Sequence, residues 1–111
     1  MSEGGYLLLH MFRHVSVYIL QTVKYFLPSM IKRNHGHVVN IASSTGLFGL
    51  KNLADYSASK FGVVGFTEVL NLEIVFSQAD GVHTTMVCPS FVNTKLFNGC
   101  VMRYAFIVSS P

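Results

Sequence analysis

Two short runs that read as buried strands, separated by one long helical run, constrain this chain more than any other feature. The first run is His37 to Ala42. The second is Val82 to Cys88, closed by Pro89. Both are short, rich in β-branched residues and bounded by turn residues, as core strands are. Between them a helical pattern extends from about Leu53 to Phe76, and Asp80-Gly81 breaks it. Strand, crossover helix and strand make a βαβ unit, which sets the two strands parallel in one sheet with a right-handed connection. The fold class expected is therefore α/β, with a doubly wound parallel sheet as parent.

A further helix precedes this unit. Val15, Ile19, Val23, Leu27 and Met30 recur at three or four positions and form one stripe of a helix from Val15 to Arg33. Pro28 is expected to kink it or tighten its last turns, and Asn34-His35-Gly36 is a stop signal. Residues 1–14 carry weak signals, and the tail from residue 99 to 111 has no clear period. The chain thus divides into an N-terminal segment (1–14), one partial domain (15–98) and a tail (99–111). Right-handed crossovers would put both long helices on one face of the sheet. The other face, and the far edge of Val38 to Ile41, would then lack cover. An open edge and an uncovered apolar face predict aggregation or partner-seeking.

Composition points the same way. The chain is 50% hydrophobic and only 12% charged, which is apolar for a free-standing domain of 111 residues. The net charge of +3 is scattered, with no phosphate-binding stripe, so a nucleic-acid partner is not expected. Cys88 and Cys100 form no CxxC pair and no disulfide framework. No apolar run is long enough to span a bilayer, and Tyr6-Leu7-Leu8-Leu9 lacks the flanks of a signal peptide. His10 and His14 stand four apart but have no third ligand, so no metal site is expected. Cys88 reads as a small core hydrophobe. Ala58, Gly62 and Gly65 form a stripe of small residues on the second helix. Each Gly costs a helix roughly 1 kcal/mol relative to Ala. The stripe therefore implies close approach of another element of the fold, or a subunit contact.

Chemistry concentrates at the loop between the first strand and the second helix. Ser43 ends the strand, and Tyr56 and Lys60 follow four residues apart on the helix. That spacing places both on one face. A nearby ammonium favours the charged form of a phenol, so Lys60 is expected to lower the pKa of Tyr56. Tyr56 then suits proton exchange with an alcohol or carbonyl near neutral pH, while Ser43 holds the oxygen of that group. A Tyr-x-x-x-Lys spacing alone is weak evidence. Here a hydroxyl at a strand end precedes it, and a strand ending in Pro89 follows it.

The runs Gly36-His37-Val38-Val39-Asn40-Ile41-Ala42-Ser43-Ser44-Thr45-Gly46, Tyr56-Ser57-Ala58-Ser59-Lys60 and Val87-Cys88-Pro89-Ser90-Phe91-Val92-Asn93-Thr94 resemble the short-chain dehydrogenase/reductase family. The wording of Phe26 to Ile31 and of Ala54 to Phe61 is most similar to the family's 16C branch. That branch holds epidermal retinol dehydrogenase-like and 17β-hydroxysteroid dehydrogenase-like proteins. The resemblance implies the central-to-late part of a Rossmann-like fold, with the first βαβ units missing. It implies NAD or NADP as cofactor and a lipophilic alcohol or carbonyl, retinol or a steroid, as substrate. By resemblance Tyr56 is the proton donor or acceptor and Lys60 holds the nicotinamide ribose. Tyr56, Pro89, Val92 and Thr94 also border the cofactor, and Ser43 orients the substrate oxygen. The family commonly dimerises through helices matching 15–33 and 53–76, so a homo- or heterodimer is implied. So is a location at the endoplasmic reticulum or lipid droplets, or in the cytoplasm if the chain is expressed alone.

The departures from the family pattern set a second expectation. The Gly-rich phosphate turn that holds a pyrophosphate at a helix N-terminus is absent from these 111 residues. The family's catalytic Asn should lie near Val15, but no Asn precedes Asn34. Ser90 stands where Gly is usual, and the lid and last strand expected after Asn98 are not recognisable. The chain alone is therefore expected to be inactive: a non-catalytic fragment or pseudoenzyme, inert or pairing with a full-length relative.

Overall fold

The computed structural model describes residues 3–90 and 105–109. Helix α1 (Glu3–Arg33) leads into strand β1 (Gly36–Ile41), helix α2 (Ala54–Phe76), strand β2 (Val82–Pro89) and strand β3 (Ala105–Ser109). The sheet order is β1-β2-β3. β1 and β2 run parallel, with Val38 opposite Thr84 and Asn40 opposite Met86. The βαβ unit is therefore present as expected, in a partial Rossmann-like α/β fold.

The ends of α1 differ in how well the sequence marks them. Its C-terminus is a Schellman turn. Asn34 takes a left-handed φ of 49°, and His35 N–H donates to the Met30 carbonyl at 3.1 Å. Its N-terminus lies at Glu3, well before Val15. Gly4 and Gly5 weaken helix propensity there, so the periodic stripe understates the helix.

The sheet buries one face. Val23, Leu70, Ile74, Ala79 and Val82 form one buried cluster, and Leu27, Met30 and Val38 pack against it. Ala42, Val63, Met86 and Cys88 form a second, joined by Ile19 and Val64. Both helices thus cover the even-numbered side of β1 and β2. Two polar ties register α2 on the strands below. Asn40 Nδ2 donates to Thr67 Oγ1 at 2.9 Å, and Thr67 donates on to the Val63 carbonyl at 2.8 Å. Thr84 Oγ1 donates to Asn71 Oδ1 at 3.2 Å. The opposite side stays open, with Val39 52% and Ile41 55% exposed.

Three expectations change. The tail was read as lacking period and a last strand, yet residues 105–109 form β3, antiparallel to β2, with Val87 opposite Ile107. The run Ala-Phe-Ile-Val-Ser is too short to show a period, and the unpaired edge of β2 recruits it. α2 ends at Phe76 as expected, but the left-handed turn after it is made by Gln78, with φ 60°, rather than by Asp80-Gly81. Finally, the small-residue stripe does not serve packing among the described residues. A β-carbon at Gly62 or Gly65 would meet nothing within 4 Å.

Candidate active site

The site is assembled by two turns docked on each other. After β1 the chain makes a one-turn 3-10 helix, Ser44–Gly46. Ser43 starts that turn in extended backbone, φ −162° and ψ 159°, which suits a residue capping a helical turn with its side chain. Its Oγ accepts from Thr45 N–H at 3.3 Å and from Thr45 Oγ1 at 3.1 Å. Two accepted bonds fix the oxygen and leave the Ser43 proton for donation. Ser43, Ser44 and Thr45 are all buried.

Gly46 carries the docking. A β-carbon there would lie 2.7 Å from the Lys60 carbonyl oxygen and 2.9 Å from the Lys60 carbonyl carbon. The turn that bears Ser43 therefore sits directly on the turn of α2 that bears Lys60. Both colliding atoms belong to backbone, so neither side can yield cheaply. Gly46→Ala is expected to destabilise the fold by about 1–3 kcal/mol. Urea unfolding checks this: the midpoint falls and the slope is unchanged. An unmoved midpoint would show that the turn is not wedged there.

On α2, Ser59, Val63, Thr67, Leu70 and Ile74 face inward at helical spacing. Tyr56 and Lys60 share an adjoining face, both partly buried. Lys60 Nζ lies 5.6 Å from the centre of the Tyr56 ring, a cation–π distance. Ser59 Oγ donates to the Tyr56 carbonyl at 2.7 Å, bracing the turn that holds both.

Cys88 closes the site from β2. It is completely buried. Burial pushes its thiol up, and the Ser43 backbone hydrogen bond and the Lys60 charge pull it part of the way back. Burial lowers the Lys60 pKa from its ordinary 10.5, opposed by the Cys88 charge. Cys88 thus lies beside the Ser43 backbone and within reach of the Lys60 charge. The Lys60 shift gives a pH prediction. The unfolded chain binds the Lys60 proton more tightly than the folded one, so stability rises as pH climbs from the lowered value to 10.5. Measured at each pH against Lys60→Met, which largely cancels the opposite slope from Cys88, wild-type stability gains across that window. A relative loss there would contradict the burial of Lys60.

The structure thus docks the turn that follows Ser43 against the turn of α2 that carries Lys60 beside Tyr56, with Pro89 half-buried at the end of β2. Val92 and Thr94 lie outside the described residues. Two contributors were not picked out in the sequence. Thr45 orients Ser43, and the Ser-Ser-Thr run was its only signal. Gly46 closes the run that carries the family resemblance, but its contact with α2 is a tertiary fact. Among the described residues no group of His, Cys, Asp and Glu could hold a metal, and no helix is long and apolar enough to cross a membrane.

A sequence profile described as short chain dehydrogenase matches residues 13–103. The chain belongs to the short-chain dehydrogenase family. Its matched stretch contains every described element of the site. Among curated relatives it is 56% identical over 82 residues to retinol dehydrogenase 10-A of Xenopus laevis, and 54% to human retinol dehydrogenase 10. The figure for retinol dehydrogenase 10-B of Danio rerio is 50%. Each match covers 74% of this chain and 24% of the relative, so the chain spans about a quarter of those proteins' length.

Family membership brings a nicotinamide dinucleotide into question, and the site fits one end of it. The Tyr56 hydroxyl and Lys60 ammonium are polar groups on one helix face beside the end of β2, where a nicotinamide ribose could be held. Among the described residues nothing comparable could hold a pyrophosphate. α2 opens on Leu53 and Ala54 with no side-chain cap and no Gly-rich turn.

Proposed function

We propose that these residues are the proton-transfer half of an NAD(P)-dependent alcohol dehydrogenase or ketoreductase acting on a lipophilic substrate, retinol or a close analogue. The observation that carries this is the docking of the Ser43 turn, through Gly46, onto the turn of α2 that pairs Lys60 with Tyr56. The dinucleotide, when bound, accepts or delivers the hydride. The residues of this chain handle the oxygen and its proton. Ser43, its Oγ fixed by Thr45, donates to the substrate oxygen. Tyr56 takes the proton of the alcohol, or returns it to the carbonyl. Lys60 supplies the positive charge beside the ring. The relatives' names support retinol over a steroid. In this reading the chain by itself should not turn over, because no group among the described residues is placed to hold a pyrophosphate.

A graft tests this reading. The 82 matched residues replace their counterparts in retinol dehydrogenase 10-A of Xenopus laevis. Retinol oxidation by the graft within tenfold of the parent is expected. A folded graft that binds dinucleotide yet has no activity would refute the catalytic reading.

A second reading is favoured by the outer face of α2. Phe61, Val69 and Leu72 are exposed beside the open Gly62 and Gly65. In that reading the chain is non-catalytic and pairs with a second copy or a full-length relative through α1 and α2. A folded but inactive graft leaves this reading in place.

A further inference from the structure

A serine hydroxyl has one proton and two lone pairs, and both lone pairs of Ser43 are taken within the chain. Thr45 Oγ1 donates to Ser43 Oγ at 3.1 Å, and Thr45 N–H donates at 3.3 Å. The turn that carries these donors is held in place. Gly46 N–H donates to the Ser43 carbonyl at 2.9 Å and Leu47 N–H to the Ser44 carbonyl at 3.0 Å. Gly46 also seats the turn against the Lys60 carbonyl. Thr45 is β-branched, which restricts its own side chain. Ser43 and Thr45 are each only 4% exposed. Water therefore has little access to either hydroxyl, and a bond missing there is costly.

This leaves Ser43 able to donate and unable to accept. A carbonyl oxygen has two lone pairs and no proton. It accepts from Ser43 and from the Tyr56 hydroxyl together. An alcohol oxygen accepts from Ser43 equally well, but its own proton needs an acceptor. Ser43 has none to offer, and the Lys60 ammonium has only donors. The Tyr56 oxygen remains.

We propose that Thr45 is a positioning residue that sets specificity: by filling a Ser43 lone pair it favours a substrate oxygen without a proton and leaves an alcohol proton one exit, through Tyr56. The inference rests on the reading of Ser43 as the group that holds the substrate oxygen. Thr45 acts through Ser43 and needs no contact with substrate. Thr45→Val keeps the β-branch, the size and the N–H donor, and frees one Ser43 lone pair for an alcohol proton. Thr45→Ser keeps the hydroxyl and should restore the native preference.

The test uses two unreactive ligands of one skeleton, on the graft described above with oxidised dinucleotide present. One is the ketone β-ionone. The other is the tertiary alcohol made by adding a methyl group to its carbonyl carbon. Neither has a hydride to give at that carbon, so calorimetry reads binding without turnover. Comparing wild type with variant cancels the extra methyl. Thr45→Val is expected to tighten the alcohol relative to the ketone by about tenfold. Thr45→Ser should leave the ratio within about twofold. In a Ser43→Ala background Thr45→Val should no longer move it. A merely structural role would weaken both ligands alike, and an unmoved ratio would overturn the proposal. Retinol oxidation is scored separately. An active graft whose ratio does not respond sinks the Thr45 assignment alone. An inactive graft whose ratio does respond supports that assignment and sinks the catalytic reading. In the full chain, amide exchange read by NMR checks the geometry without the graft. Thr45 N–H should exchange at least about tenfold faster in Ser43→Ala, and equal rates would overturn the proposal even where the graft does not fold.

Discussion

Gly81→Ala is expected to destabilise this fold by about 3 kcal/mol, the upper end for overpacking. A β-carbon at Gly81 would overlap the Asn34 carbonyl oxygen. That oxygen cannot move aside, because Asn34 is fixed from three directions. Its left-handed backbone ends α1. Its side-chain Oδ1 accepts from Gly81 N–H at 2.9 Å. Its neighbour Gly36 donates to the Gly81 carbonyl at 3.1 Å. The turn entering β1 and the turn entering β2 are thus clamped together, and the clamp starts the parallel register. For a domain of this size the loss should lower the midpoint of thermal unfolding by roughly 10 °C or more. Gly62→Ala is the contrast. Open space surrounds it and it lies inside α2, so it should stabilise the monomer by about 0.5–1 kcal/mol. Equal effects at the two positions would contradict the clamp.

The second large effect concerns Tyr56. In the grafted retinol dehydrogenase, Tyr56→Phe keeps the ring that Lys60 faces and removes only the hydroxyl. If Tyr56 moves the proton, kcat should fall by about 10²–10⁴-fold, with little change in dinucleotide affinity. A fall of less than about tenfold would place the proton transfer on another group. Ser43→Ala separates orienting from proton transfer. It removes the donor to the substrate oxygen and leaves Tyr56 in place, so its loss should be the smaller of the two.

How much of this was legible depended on whether the determinant was local. The βαβ unit was readable because the runs His37 to Ala42 and Val82 to Cys88 are rich in β-branched residues and flank a long helical run. The Lys60–Tyr56 pair was readable because the two share a helix face, and the docking of the Ser43 turn onto that turn of α2 was not. What escaped was set by contacts distant in sequence. β3 forms because β2 has a free edge, not because residues 105–109 have a strong pattern. Gly81 was read as a helix breaker, but its φ is ordinary and its smallness serves the approach of Asn34. Cys88 was read as core filler. It is that, and it also feels the Lys60 charge from a strand far along the chain. The Asn40–Thr67 and Thr84–Asn71 ties were invisible, since each partner alone is an unremarkable polar residue.

We propose that the described residues form a proton-transfer site that does not by itself hold a whole dinucleotide. Isothermal titration of the purified chain with NAD and with NADP tests it most directly. In the proposed reading Tyr56 and Lys60 would meet only the nicotinamide end, so neither cofactor should show micromolar binding. Micromolar affinity for either, lost in Lys60→Met, would contradict the account and show that the 111 residues hold the cofactor by themselves.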